Sequence, residues 1–321
     1  MCPVRVLAVT LDYPPRRRIG SELCTHEVLS RMVARGHEVM VCPTDASGRW
    51  VVDGVRVDSR RPPAGWADVV WTHAELLGHV PRGVPVVAAT HNTRAAVVRG
   101  LRARAPDLVV HNAEATRAAL TSRWPHRGVP QVVCRPTVNL DVFQPRPGPH
   151  DQVLMVGGSR PKGVEVLRAL LGKRDDRWLL VRGGYGPQVR IEDRRLQVMG
   201  HTSDMPGVYG RARVLIAPSV TESYGRVVVE ALACGVPVLA SDLPGMREAG
   251  GDAAVYLPVG MPHRWAAALR ALDDPDVYAD AVARGLAHVA TLDPVADLDR
   301  VADAVESLPL GREVHGARVV R

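Results

Sequence analysis

Residues 214–240 leave few folds open to this chain. A short apolar run, Val214-Leu215-Ile216-Ala217, is closed by Pro218, and a polar turn covers Ser219 to Gly225. An amphipathic run from Arg226 to Cys234 then stops at Gly235, with Pro237 behind it. Glycine followed by proline just past a periodic segment is a helix stop. Residues 237–240 form a second apolar strand. Strand, loop, helix and strand in this order make a parallel crossover unit, which predicts an α/β chain built on parallel sheets.

Two acids interrupt this apolar pattern: Glu222 in the turn and Glu230 on an otherwise apolar helix face. A helix that starts at Gly225 presents backbone N–H groups and a positive dipole end, which suit a phosphate. Carboxylates beside a phosphate repel it unless they serve neighbouring hydroxyls. An anion that carries sugar hydroxyls, a nucleotide sugar, satisfies both requirements.

Glu222-Ser223-Tyr224-Gly225 through Glu230-Ala231-Leu232-Ala233, with Gly235-Val236-Pro237-Val238 behind, resembles the E-x7-E signature of retaining family-four glycosyltransferases. The resemblance implies the GT-B fold, two Rossmann-like doubly wound parallel-sheet domains facing a cleft. It implies transfer of a sugar from a nucleotide-diphosphate sugar to a hydroxyl acceptor, with retention, no metal and no other cofactor. Glu222 then lies by the donor sugar, Glu230 holds the ribose hydroxyls, and Ser223, Tyr224, Gly225, Arg226 and Val227 line the donor.

Further elements of the resemblance run along residues 4–310. Val4 to Thr10 reads as a first strand, and its loop to the helix at 22–34 carries Arg16, Arg17, Arg18, Ile19 and Gly20. The family has two glycines there, of which only Gly20 carries over. Arg35-Gly36-His37-Glu38-Val39 matches the family's continuation. His73 and His91 each follow an apolar strand, where open parallel sheets place ligands. Thr90-His91 matches the family's Thr-x-His element and so implies a histidine near the sugar. In the second half, Lys162-Gly163 matches the phosphate-binding lysine, with Arg160 as its partner in a shortened loop. Gly184, in the glycine-rich turn after the strand at 178–181, and Gly200, at a strand end resembling the nucleobase contact, complete the donor set.

The Pro/Gly-rich stretch at 146–149 sets a boundary near residue 148. It divides an N-terminal acceptor-side domain (1–148) from a C-terminal nucleotide-sugar domain (149–294). A terminal helix and basic tail (295–321) are expected to cross back to the first domain.

At 321 residues the chain suits two domains. The five cysteines show neither a paired framework nor metal spacing, and no run is long and apolar enough to span a membrane. Both fit a cytoplasmic protein. Asp297-Leu298-Asp299 has the letters of a metal motif but falls in the terminal helix, where surface charge is expected. Of 41 basic residues only Lys162 and Lys173 are lysine, and there is one phenylalanine. A G+C-rich genome gives that composition. Real attraction to an anionic acceptor, nucleic acid or membrane surface also fits the net charge of +7. A secondary metabolite, a glycolipid headgroup and a hydroxylated DNA base all suit as acceptors. Two alternatives use the same donor site: an epimerase of nucleotide sugars and a non-catalytic nucleotide-sugar-binding subunit.

Overall fold

The computed structural model describes residues 3–16, 19–125, 128–183 and 186–309, arranged in two compact α/β units. The first comprises Met1–Asn112, Thr116–Arg135 and Val295–Arg321; the second comprises Ala113–Ala115 and Pro136–Pro294. The division thus falls at Arg135/Pro136, ahead of the Pro/Gly-rich stretch where the sequence places it.

In chain order the first unit contains β1 (Arg5–Thr10), α1 (Gly20–Ala34), β2 (Glu38–Pro43), β3 (Arg49–Val52), β4 (Val55–Asp58), β5 (Val69–His73), β6 (Val86–Thr90), α2 (Ala95–Ala103) and β7 (Leu108–His111). It continues with most of α3 (Glu114–Thr121) and with β8 (Gln131–Val133). Its eight-stranded sheet has the order β3-β4-β2-β1-β5-β6-β7-β8, with only the β3–β4 pair antiparallel. Strands β5, β6 and β7 are buried along their whole length. That matches their near-continuous Val and Ala content and a sheet covered on both faces.

The second unit contains β9 (Gln152–Val156), α4 (Val164–Leu171), β10 (Arg177–Val181), β11 (Leu196–Met199), α5 (Met205–Tyr209), β12 (Ala212–Ala217), α6 (Arg226–Ala233) and β13 (Val238–Ser241). After these come α7 (Pro244–Gly250), β14 (Val255–Leu257), α8 (Pro262–Ala271) and α9 (Pro275–Ala290). Its six strands are all parallel, in the order β11-β10-β9-β12-β13-β14. Numbered within the unit this is 3-2-1-4-5-6, the doubly wound order. Trp178 and Trp265 are fully buried in a core layer with α4 and α8.

The last helix, α10 (Pro294–Glu306), packs into the first unit. Val301, Ala302 and Val305 are buried there beside Val28, Met32 and Val4. Each buried valine contributes about 1.5–3 kcal/mol relative to exposure. Charge fixes the register. Arg31 grips Asp299 through two hydrogen bonds of 2.7 Å, and Arg35 reaches Asp299, Asp303 and Glu306. His37 accepts from the Val4 N–H at Nδ1, so its proton sits on Nε2 and is donated to Glu306 at 2.8 Å. The Arg35-Gly36-His37 motif therefore anchors the terminal helix. Asp297 corrects the expectation of surface charge: it is buried, accepting from the Arg135 backbone and from the Arg135 and Arg300 side chains. The basic tail at 312–321 lies outside the described residues.

Candidate active site

In the second unit the strand order reverses between β9 and β12, and the loops leaving these two strands meet. Open parallel sheets bind ligands at that position, outside the carboxyl ends of the strands. The loop at 157–163 and the turn at 218–225 are tied by a hydrogen bond from Val220 N–H to Pro161 O at 2.9 Å. Gly163 makes the approach possible. Its φ is +77°, and a Cβ there would stand 1.7 Å from Pro218 O, so any side chain would drive the loops apart. The Lys162 ammonium reaches across to Glu222, with Nζ 2.6 Å from Oε2. The other carboxylate oxygen of Glu222 accepts from the Ser223 N–H at 3.2 Å.

Helix α6 starts directly after this turn. Gly225 precedes it with φ +97°, and a Cβ would meet Met246 Sδ at 2.6 Å. Gly225 supplies no side-chain cap, the Val228 N–H is taken by Gly225 O at 2.8 Å, and the positive end of the α6 dipole directly follows the turn that carries Glu222. One turn further in, Glu230 is buried. It accepts from Arg226 Nε on Oε1 and from the Tyr209 hydroxyl on Oε2, both at 2.9 Å. Burial, reinforced by the Glu230 charge, pushes the Tyr209 hydroxyl well above its ordinary range, so it stays a donor. Val227 is partly buried on α6. The Tyr224 ring lies in the core, so among its groups only the backbone belongs to the surface of the turn.

Other donor-side expectations are not gathered here. The Arg160 side chain is 85% exposed and its nearest acid is Glu165, at 3.9 Å. Gly200 follows β11 where a Cβ would meet nothing within 4 Å, so space does not require glycine. Gly184 lies outside the described residues.

In the first unit the carboxyl ends of β1, β5 and β6 hold a second cluster. His91 follows β6, and both its ring nitrogens are buried with no hydrogen-bond partner among the described residues. Its ring stands edge-on to His73, with centroids 5.0 Å apart. Burial, with the His73 ring adding to it, holds His91 well below the usual imidazole range, so it is neutral near pH 7. His73, lowered by burial as well, exchanges a hydrogen bond with Thr25 at 3.1 Å. Glu22, in the first turn of α1, is 2% exposed and accepts from the Ser21 hydroxyl at 2.6 Å.

Sequence reasoning missed Glu22, Thr25 and Tyr209. An acid in the first turn of the helix after β1 was the only available signal for Glu22. Gly20 opens α1 without left-handed backbone, and a Cβ there would touch nothing within 4 Å. Arg17 and Arg18 lie outside the described residues, while Arg16 bonds Ser47 O and lies over the Trp50 ring. Among the described residues no three His, Cys, Asp or Glu side chains are grouped to hold a metal ion.

Two doubly wound units with these loops are the architecture of the GT-B glycosyltransferases, and the chain has that fold. More particularly, residues 150–274 match the family described as Glycosyl transferases group 1. A curated relative, the D-inositol 3-phosphate glycosyltransferase of Acidothermus cellulolyticus, is 27% identical over 88% of this chain and 75% of its own length. The enzyme of the same name from Kineococcus radiotolerans is 29% identical, over 53% of this chain and 50% of its own. Among solved structures, sucrose-phosphate synthase from Thermosynechococcus elongatus superposes with a TM-score of 0.78 at 19% identity. The match covers 94% of this chain and 98% of that one. HepE of Anabaena, in complex with UDP-glucose, gives 0.78 at 18% identity, covering 95% of this chain and 100% of that one. No described helix is long and apolar enough to cross a membrane.

Proposed function

We propose that this chain transfers a glycosyl group from a nucleotide-diphosphate sugar to a hydroxyl acceptor, with retention and without a metal ion. The observation that carries this reading is the Lys162–Glu222 pair at the switch point of the second sheet, beside the start of α6. An ammonium and a helix N-terminus converge where a diphosphate would sit, and a carboxylate stands beside them for sugar hydroxyls. The HepE structure holds UDP-glucose, which supports the same donor class.

In the proposed reaction the bond from the anomeric carbon to the diphosphate oxygen breaks. The acceptor oxygen bonds to that carbon on the same face, and its proton passes to the departing diphosphate. Lys162 and the α6 N–H groups stabilise the charge that grows on the diphosphate. Glu222 positions sugar hydroxyls. Glu230, oriented by Tyr209 and Arg226, takes the ribose. Neutral His91 offers its ring nitrogens to the sugar and acceptor side.

Protection against thermal unfolding by a panel of nucleotide sugars identifies the donor. Acceptor trials follow, with a polyol phosphate first because of the curated relatives' names. NMR of the product then reads the anomeric configuration. An inverted product sinks the same-face mechanism, and no protection by any nucleotide sugar sinks the donor class.

A further inference from the structure

The first sheet is covered unevenly at one edge. Between β2 and its parallel neighbour β4 the chain forms the β3–β4 hairpin, where a doubly wound sheet would carry a helix. On one face α1 covers this edge, and Val55 and Val57 are buried beneath it. On the opposite face the pairings Met40↔Arg56 and Arg49↔Asp58 set three charged side chains next to one methionine. Arg60, Arg61, Pro62, Pro63 and Trp66 from the following loop complete the lining of a cavity of about 410 Å³.

Four guanidinium groups line this cavity against one carboxylate. Each is steadied by an anchor. Arg49 Nε lies 2.6 Å and Arg60 Nε 3.7 Å from Asp58. Arg56 meets Glu38 at 3.2 Å, and Arg61 donates to His79 O at 3.0 Å. The side chains of Arg49, Arg56 and Arg60 are 64%, 51% and 70% exposed. Each guanidinium carries five N–H donors in a planar fork, a shape matched to phosphate oxygens. Crowding four such cations is unfavourable unless an anion joins them. By sequence, moreover, the first unit is strongly basic while the second is close to neutral.

We propose that this cavity binds a phosphoryl group bearing two or more negative charges, on a soluble phosphorylated compound or a lipid headgroup. The size is at the lower end for small-ligand pockets, which suits a headgroup-sized ligand. The cavity is separate from the His91 cluster. From β4 to β6 there are four strand spacings, about 19 Å in all, which a small acceptor does not span.

The test is calorimetry of the full chain with inorganic pyrophosphate, alongside flotation with phosphatidylcholine vesicles with and without phosphatidic acid. Both use Lys162→Ala as background, to weaken the proposed donor site. Binding in at least one arm is expected, falling about tenfold or more on adding Arg56→Gln and Arg60→Gln, charge-assisted hydrogen bonds being the strong ones. Arg56→Lys with Arg60→Lys should keep part of it. Loss in the pyrophosphate arm assigns a soluble ligand; loss in the vesicle arm alone assigns a lipid headgroup. Neither arginine belongs to the proposed transfer site, so sugar transfer should survive the double substitution. Undiminished binding of both probes in the Gln variant, or no binding in either arm, overturns the proposal.

Discussion

Lys162 and Glu222 are 60 residues apart in sequence, yet Nζ and Oε2 meet at 2.6 Å because β9 and β12 are neighbours in the sheet. In the proposed reaction a donor diphosphate entering this position would take over the ammonium and leave the carboxylate to sugar hydroxyls. The pair is thus poised for an exchange of partners, and its members should fail differently when replaced.

Lys162→Ala should lower turnover on the order of 10²–10³-fold, the usual cost of one transition-state donor. Donor affinity should fall much less, since diphosphate charge grows as the sugar bond breaks. Lys162→Arg should rescue in part, a planar fork replacing a compact charge. Steady-state kinetics with a thermal melt decides this, and an unchanged rate in Lys162→Ala removes the residue from the reaction.

Glu230 serves the fold as well as the proposed ribose contact. Glu230→Ala leaves the buried Tyr209 hydroxyl only its long bond to Val227 O at 3.4 Å and should cost about 1–3 kcal/mol of stability. Glu230→Gln keeps an acceptor oxygen for Tyr209, so its melting temperature should fall less. Loss of the charged hydrogen bonds to ribose should still weaken nucleoside diphosphate binding by about tenfold or more. Calorimetry showing wild-type affinity for Glu230→Gln would refute the ribose role.

Activity should survive EDTA, because protein cations and the α6 N-terminus are proposed to hold the diphosphate. Complete loss on chelation, restored by Mg²⁺ or Mn²⁺, would count against the metal-free reading.

The first unit should lose stability in mild acid. Burial pushes His111 from 6.5 down to about 4, and Thr90 and Gln131 hold its two nitrogens. Between those values the unfolded chain binds more protons than the folded one, so stability falls as pH falls from 6.5 toward 4. The loss from His111 is about 2 kcal/mol by pH 5 and about 3 kcal/mol below pH 4. His73 and His91, lowered by burial too, act in the same direction. Melting temperatures across this range check the slope, which His111→Gln should make shallower even though it starts from a less stable protein.

Local pattern carried much of this structure. The unit from β12 to β13 was legible because its apolar runs, glycine stop and paired acids all lie within 30 residues. Helix α2 was not read, since Arg99 and Arg102 within it, and Arg94 and Arg104 at its ends, leave an apolar face of only Val97, Val98 and Leu101. Short α5 and α7 escaped for want of two full turns of periodicity. Asp297 was read as surface charge because its partner Arg135 is 162 residues away in sequence. Tyr209 gave no sign of its bond to Glu230 for the same reason. Periodicity shows which face is apolar and is silent on which distant polar group meets it.

Because α10 packs with α1, β1 and β2, residues 136–294 amount to an insertion within a discontinuous host. The two pieces are not equally easy to isolate. The inserted segment carries its own complete sheet and nearly all of its cores, lacking only Ala113 and Ala115, and should be expressible alone as a fragment on which the proposed donor binding is measured. Stopping the chain at Arg135 would instead bare the apolar seat of Val301 and Val305 and strip Arg35 and His37 of their carboxylates. A usable first-unit fragment needs residues 3–135 spliced to 295–309, or α10 supplied in trans as a peptide.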